Sequence, residues 1–134
     1  MILSVLSRLR NESSVDYLHT ARQLQIRTIK EAVKFPKRYT FYISQPLVSC
    51  SVRLYEDVVK ANSIYPGNPD DARLRRGYLI KARAEAYTLT SQMELAFELF
   101  GMDYSAMQEW AGLVADEIRL INGVLKSDRN RIRE

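Results

Sequence analysis

Histidine, cysteine and paired carboxylates are the residues through which this chain of 134 residues could perform catalysis, and the first two are scarce. His19 is the only histidine and Cys50 the only cysteine. A tetrahedral metal site needs several such ligands, and a di-iron bundle needs Glu-x-x-His pairs, which the sequence lacks. Cys50 falls on an apolar helical stripe, which predicts a buried, unreactive thiol. We therefore predict no catalytic residue, no metal site and no cofactor, and expect that the protein is not an enzyme.

Two pairs of carboxylates are the remaining candidates for acid–base or metal chemistry. Glu94 and Glu98 lie one helical turn apart, and Asp116 and Glu117 are adjacent further along the chain. Carboxylates are rarely buried without a partner, and most of them lie on solvated faces. The sequence therefore favours a solvated helix face for both pairs.

Lysine and arginine are better candidates, because clustered cations neutralise phosphates and release counterions. The net charge is +4 and is unevenly distributed. Residues 73–84 carry five basic and no acidic side chains, whereas residues 85–117 carry seven acidic and no basic ones. The cations predicted to contact nucleic acid are Arg73, Arg75, Arg76, Lys81, Arg83, Lys34, Lys37, Arg38, Arg129 and Arg131. Ion pairing within the protein or with a neighbouring subunit is the alternative role for the same side chains.

Aromatic residues accompany one group of these cations. Tyr39, Phe41 and Tyr42 follow directly after Lys37 and Arg38. Aromatic rings mixed with cations can stack on nucleic-acid bases, and they can equally anchor a protein interface. Packing over the end of the helices is a third interpretation, and all three remain open.

The first two of four predicted helices are delimited by proline. Helix 1 is predicted over residues 14–34, with Ser14 as its N-cap, and it ends before Pro36 because the residue preceding a proline is pushed out of the helical region. Helix 2 is predicted over residues 44–62, with Pro46 in its first turn, where a missing N–H is tolerated.

The third and fourth helices carry clearer boundary signals. Asn68 is the expected N-cap of helix 3, and Gly101 its expected C-terminal stop. Apolar residues recur every seven positions between these limits, as in a bundle core. Helix 4 is predicted to start at Ser105 in a capping box with Gln108. Its predicted apolar face consists of Met107, Trp110, Val114, Ile118, Ile121 and Leu125.

Short connections favour antiparallel neighbours, so the predicted fold is all-α, an antiparallel up-down-up-down four-helix bundle over residues 14–126. Residues 1–13 are expected to form an arm or a short extra helix, and residues 127–134 a charged tail. This topology brings the start of helix 3 and the end of helix 4 to one end. No apolar run reaches the roughly 18 residues of a membrane span, and the start of the chain lacks signal-peptide features. We expect a cytoplasmic protein that does not enter membranes.

One segment carries a family resemblance. Helix 1 ends in Val33-Lys34-Phe35-Pro36-Lys37-Arg38-Tyr39, and a short aromatic stretch and a second amphipathic helix follow. This arrangement resembles the small four-helix proteins encoded in intervening sequences of bacterial 23S rRNA genes, and the accessory variability determinant (Avd) proteins of diversity-generating retroelements. The likeness covers residues 15–125 in helix order and length. The rRNA-associated members carry an Asn-Ile-Ala-Glu-Gly-like segment at the end of helix 2, where residues 57–62 read Asp-Val-Val-Lys-Ala-Asn. The departure favours the Avd group.

The resemblance implies a ring-shaped pentamer with a basic surface that binds nucleic acid and a partner reverse transcriptase during mutagenic copying of a template RNA. Of the predicted site residues, only Lys34 and Lys37 are carried over from the resemblance. The expected function is thus that of a non-catalytic, homo-oligomeric accessory protein that binds RNA or DNA without sequence specificity. The alternative is a bundle that self-assembles, acidic half against basic half, without a nucleic-acid role.

Overall fold

Four long helices make up the computed structural model, which describes residues 12–133. They are α1 (Glu12–Ala32), α2 (Gln45–Asn62), α3 (Pro69–Phe100) and α4 (Tyr104–Arg133). No strand occurs within the described range. The predicted all-α class and the number of helices are confirmed.

Helix α1 differs from its predicted limits at both ends. It already includes Glu12, so Ser14 lies inside the helix and is not its N-cap. The predicted N-terminal arm lies mostly outside the described residues. At its other end α1 stops at Ala32, whose carbonyl accepts a hydrogen bond from the Ser44 hydroxyl at 3.3 Å. The chain therefore turns before Pro36, as predicted, but two residues earlier than expected.

The connection between α1 and α2 is itself helical. A single 3₁₀ turn covers Lys37–Tyr39, and a π-helical turn covers Thr40–Ser44 and leads directly into α2. The Thr40 hydroxyl donates to the carbonyl of Lys37 at 2.7 Å. Pro46 lies in the first turn of α2, as predicted.

Helix α3 has the limits that its capping residues predict. The Asn68 side chain accepts the N–H of Asp71 at 2.9 Å, which satisfies one of the free donors at a helix start. Gly101 adopts a φ of 60°, and its N–H donates to the carbonyl of Phe97. The predicted seam of this helix is buried at Ala72, Leu79, Ala82, Ala86, Leu89, Met93 and Ala96, whereas Phe100, its last predicted residue, is only partly buried.

Helix α4 is longer than predicted. Asp103, and not Ser105, provides its N-terminal cap, since the Asp103 carboxylate accepts the N–H of Ala106 at 3.1 Å. Gln108 donates to the Tyr104 hydroxyl at 2.8 Å, so the predicted capping box between Ser105 and Gln108 is wrong. The helix continues to Arg133, and the segment predicted as a charged tail is helical up to that residue.

The four helices enclose one core. Each helix packs against two others, in the order α1–α2, α2–α3, α3–α4 and α4–α1. Completely buried apolar side chains come from all of them, among them Tyr17, Leu24, Leu47, Leu54, Leu79, Leu89, Trp110 and Ile121. None of the helices described combines the length and the apolar character that crossing a bilayer requires.

Candidate nucleic-acid interface

An open groove of about 420 Å³ runs along the first half of α3. Its walls come from one helix face at spacings of three or four residues, and are formed by Asp70, Arg73, Leu74, Gly77, Tyr78 and Lys81. Gly77 lies in its middle, and a Cβ atom at this position would meet nothing within 4 Å. Gly77 therefore leaves the middle of the α3 groove without a side chain.

Cations surround the aromatic ring of the α3 groove. The Lys81 ammonium lies 5.6 Å from the centroid of the Tyr78 ring, and the Lys60 ammonium of α2 lies 5.7 Å from it. Both distances allow a cation–π attraction. The groove thus combines a partly buried aromatic ring with two charges that a phosphate could approach. Lys60 was not among the predicted site residues, because only the packing of α2 against α3 brings it here.

The other end of the α3 groove holds an exposed ion pair. The Arg73 guanidinium lies 3.3 Å from the Asp70 carboxylate, and both side chains are mostly in solvent. Exposed pairs of this kind contribute about 0–1 kcal/mol. Arg73 can therefore exchange its carboxylate for a phosphate at little cost. Arg76, also predicted, is exposed on the same helix.

Arg75 has a structural role instead of the predicted contact with nucleic acid. Its side chain is buried, with one nitrogen 2.6 Å from the Asp128 carboxylate of α4. Another nitrogen donates to the carbonyls of Ala61 and Ile64, each at 3.1 Å. One guanidinium therefore ties the end of α2 and the end of α4 to the start of α3. The prediction for Arg75 is wrong because these donors are used inside the protein.

The remaining cations near this end are accessible. Arg129 and Arg131 are exposed, and the Arg131 guanidinium lies 5.9 Å from the centroid of the Tyr65 ring. The bond between α3 and α4 at Asp128 places this part of α4 beside the start of α3. The predicted meeting of these two helix ends is therefore present. Arg83 is half-buried and donates to Asn122 of α4 at 2.8 Å, so it is less available than predicted.

A second group of predicted cations lies far from the α3 groove. Lys34, in the turn after α1, pairs with Glu31 of that helix at 3.5 Å, and Lys37 is exposed in the 3₁₀ turn. Arg38 is exposed, and its guanidinium lies 5.1 Å from the centroid of the Tyr39 ring. This group lies near the last residue of α3, about 30 Å along the helix from Lys81. The ten predicted cations therefore do not form one continuous surface.

The aromatic residues beside this second group have two different roles. Phe35 and Tyr39 pack against Phe100, each with ring centroids 5.0 Å apart, and close the end of the core. Phe41 and Tyr42 point into solvent and are 79% and 77% exposed. The packing interpretation holds for Tyr39, while the other two rings are free to bind a partner.

Glu117 is a second ionisable residue, after Arg75, whose position differs from the prediction. It is completely buried, and neither of its carboxylate oxygens has a hydrogen-bond partner among the described residues. Burial raises the pKa of this carboxyl to about 9. Sequence analysis placed Glu117 on a solvated face and Ile118 on the apolar face, but Ile118 is only partly buried. The spacing of Val114, Glu117 and Ile121 was the signal that could have located it.

Cys50 behaves as predicted. The thiol is buried and lies 3.1 Å from a carboxylate oxygen of Glu85. Burial, and then the hydrogen bond to Glu85, raise the pKa of the thiol to about 12, so it stays protonated and a poor nucleophile. Among the residues described, no group of three or more His, Cys, Asp or Glu side chains is placed to hold a metal ion.

The described residues thus form a surface suited to binding. It consists of an open groove, the Tyr78 ring between two lysine ammonium groups, and exposed cations at one end of the helices. Arg73 and Lys81 are the predicted residues that line the groove, and Arg76 is exposed on the same helix outside its lining. In comparisons with known proteins, the chain matches no family model, no curated protein and no solved structure.

Proposed function

We propose that this protein is a non-catalytic nucleic-acid-binding accessory protein that acts as a homo-oligomer of up-down-up-down four-helix bundles. The α3 groove is the observation that carries the proposal. Phosphates would contact Arg73, Arg76 and Lys81, while a base would stack on Tyr78. These contacts read neither base edges nor sequence, so binding to RNA or DNA would be sequence-nonspecific.

The accessory role rests on the family resemblance of the segment from Val33 to Tyr39. Under this proposal the protein assists a reverse transcriptase in copying a template RNA, and the assembly is a pentamer. The exposed rings of Phe41 and Tyr42, next to Lys37 and Arg38, supply a surface suited to a protein partner, because aromatic and arginine side chains are enriched at such interfaces.

The salt dependence of binding tests the proposal. If about five phosphates are neutralised on duplex DNA, log K falls with log salt at a slope of about −4 to −5. Replacing both Arg73 and Lys81 with Gln is expected to reduce the slope by about 2 and to weaken binding equally on different sequences. Fluorescence anisotropy with a labelled RNA and a labelled duplex at several salt concentrations measures both effects.

The matched control removes the same charge elsewhere. Arg53 and Arg119 are mostly exposed and pair with carboxylates outside the α3 groove. Replacing both with Gln is expected to leave the slope within one unit of the wild type. Equal losses in the two double variants would mean that net charge and not the groove governs binding, and binding without salt dependence would remove the proposal.

The alternative function is self-assembly without a nucleic-acid role, acidic half against basic half. It is favoured by the charge difference between the two halves of α3. Replacing Arg73, Arg76 and Arg83 with Glu separates the two hypotheses. The alternative predicts that the oligomer dissociates, whereas the leading proposal predicts an intact oligomer that no longer retains RNA.

A further inference from the structure

An apolar stripe lies on the outer surface of α1. Ile26 and Ile29 lie in α1, and Val33 follows directly after its end. The Val33 N–H still donates to the Ile29 carbonyl at 3.1 Å, so the three residues, at spacings of three and four, share one face. All three are exposed, Val33 to 76%. Lys30 and Lys34 are exposed along one edge of this stripe. These five residues are called the α1 face below.

A second apolar stripe lies on the second half of α3. Tyr87, Leu95 and Leu99 are 58%, 45% and 50% exposed on the outer side of the helix. Glu94 and Glu98 are exposed beside them. These five residues are called the α3 acidic face below. It has the same apolar character as the α1 face and the opposite charge.

We propose that the α1 face of one copy binds the α3 acidic face of the next copy, so that the chain assembles head to tail. This inference deepens the self-assembly part of the proposed function and rests on it. Apolar side chains would leave water at the centre of the contact, while lysines and glutamates would pair at its edge. The basic half of α3, with its groove, would stay outside this contact.

The two faces point away from each other. Helices α1 and α3 occupy opposite corners of the molecule, because each of them packs against both α2 and α4. One molecule therefore offers an α1 face on one side and an α3 acidic face on the other. Contacts between unlike faces are heterologous, and they produce a closed ring if the rotation between neighbours closes, or a filament if it does not.

The two faces lie at different heights along the helices. The Tyr17 hydroxyl donates to the side chain of Asn62, and Arg75 donates to the carbonyl of the adjacent Ala61. Tyr17 of α1 and Arg75 of α3 are therefore level, with an offset of 58 positions (75 − 17). Carried along the two helices, this offset brings Ile29 level with Tyr87. The same offset places Leu95 and Leu99 level with positions 37 and 41, beyond the end of α1. The α3 acidic face is therefore displaced along the helices from the α1 face, and a contact between the two closes a ring only if the helices are inclined to the ring axis.

The charged edges meet when copies are related in this way. Lys34 lies two turns after Arg27, which donates to a carbonyl of α4, so this edge faces the α4 side. Glu94 lies three turns after Arg83, which bonds α4 as well. A head-to-tail repeat uses the same operation between all neighbours, so α4 of every copy lies on the same side of the assembly. Lysines of one copy therefore lie beside glutamates of the next.

Charge reversal tests the pairing. Replacing Lys30 and Lys34 with Glu, or Glu94 and Glu98 with Lys, places like charges across the contact and is expected to raise the dissociation constant of the assembly roughly 100-fold or more. In an equimolar mixture, opposite charges meet wherever the two double variants are neighbours, so assemblies larger than either variant forms alone should appear. A ring with an odd number of copies keeps one like-charged contact, so the mixture is not required to regain the full wild-type mass. Light scattering after size-exclusion chromatography, without nucleic acid, measures the mass. Wild-type mass in both unmixed variants would overturn the proposal.

Apolar faces are tested separately with Ile29→Asp and Leu95→Asp. Each variant loses one face and keeps the other, so each is expected to be a monomer alone. Their mixture should give a dimer of one copy of each and nothing larger, because one intact contact remains. Dimers of either variant alone would show like-with-like pairing and overturn the head-to-tail contact. The matched control, Arg53→Glu with Arg119→Glu, should retain the wild-type mass.

The result also separates this contact from nucleic-acid binding. A wild-type chain that is monomeric at all concentrations overturns both the contact and self-assembly. If that monomer still binds RNA with the expected salt slope, the nucleic-acid part of the proposed function stands. If the assembly follows the charge-reversal pattern but ignores RNA, the contact stands and the nucleic-acid part fails.

Discussion

Arg75 and Glu117 are both ionisable side chains in the interior of the protein, and their surroundings differ. The Arg75 guanidinium contacts a carboxylate and two carbonyls, and these partners come from outside its own helix. The Glu117 carboxyl has no hydrogen-bond partner among the described residues. The first group joins three chain segments, whereas the second is tolerated because it retains a proton. Burial alone therefore does not say whether an ionisable group stabilises a fold.

The largest expected effect comes from removing the partnered group. Arg75→Met should lower the free energy of unfolding by about 3–5 kcal/mol, because Asp128 is left without its cation and two carbonyls lose their donors. Chemical denaturation measures the loss, and Arg76→Met, at an exposed position next to it, provides the control. A loss below about 1 kcal/mol would mean that water replaces the guanidinium without penalty.

Replacing Glu117, whose carboxyl has no hydrogen-bond partner among the described residues, should raise the free energy of unfolding. With a pKa of about 9 in the folded protein and 4.5 as its ordinary value, Glu117 must take up a proton on folding at pH 7. That uptake costs about 3 kcal/mol. Glu117→Met, which keeps the volume and removes the carboxyl, should therefore raise the free energy of unfolding by about this amount. A destabilised variant would show that the carboxyl has a partner in solution.

Glu117 should also make the free energy of unfolding depend on pH. Between pH 4.5 and 9 the folded chain retains a proton that the unfolded chain has released. The free energy of unfolding should therefore fall as the pH rises, by about 1.4 kcal/mol per pH unit from this group. Thermal unfolding between pH 5 and 8 measures the slope. The wild type and the control variant Glu56→Gln, changed at an exposed site, should show the same slope. The slope for Glu117→Met should be shallower by about 1.4 kcal/mol per pH unit.

The smallest expected effect belongs to an exposed cation of the α3 groove. Arg73→Gln breaks only the solvent-exposed pair with Asp70, so the free energy of unfolding should change by less than about 1 kcal/mol. The affinity of the Arg73→Gln variant for RNA should nevertheless fall, and the slope of log K against log salt should be reduced by about 1. If this variant were as unstable as Arg75→Met, the distinction between structural and binding arginines of α3 would be lost.

Local signals were sufficient for the limits of α3. Asn68 and Gly101 act on backbone groups within a few residues of themselves, and their caps occur where they were predicted. The start of α4 was misjudged because Asp103 and Ser105 are both good caps by type. Only the path of the chain into the helix decides between them.

The roles of the buried ionisable residues depend on distant parts of the chain. Asp128, the partner of Arg75, is 53 positions away from it. Packing against α1 and α3 likewise decides which side of α4 faces the core. A rotation of α4 about its axis by one residue position places Glu117 in the interior instead of Ile118. Residue types and spacing predicted that α3 is basic in its first half, but not which arginine is inside.

Trp110 is the single tryptophan of the chain, and its buried position makes it an optical probe. Its indole N–H donates to the Thr28 hydroxyl of α1 at 3.1 Å. The ring therefore reports the junction of α1 and α4 and lies away from the α3 groove. Emission from this indole should change on unfolding and stay constant while a nucleic acid occupies the groove. One unlabelled sample can thus distinguish loss of structure from ligand binding in every variant described above.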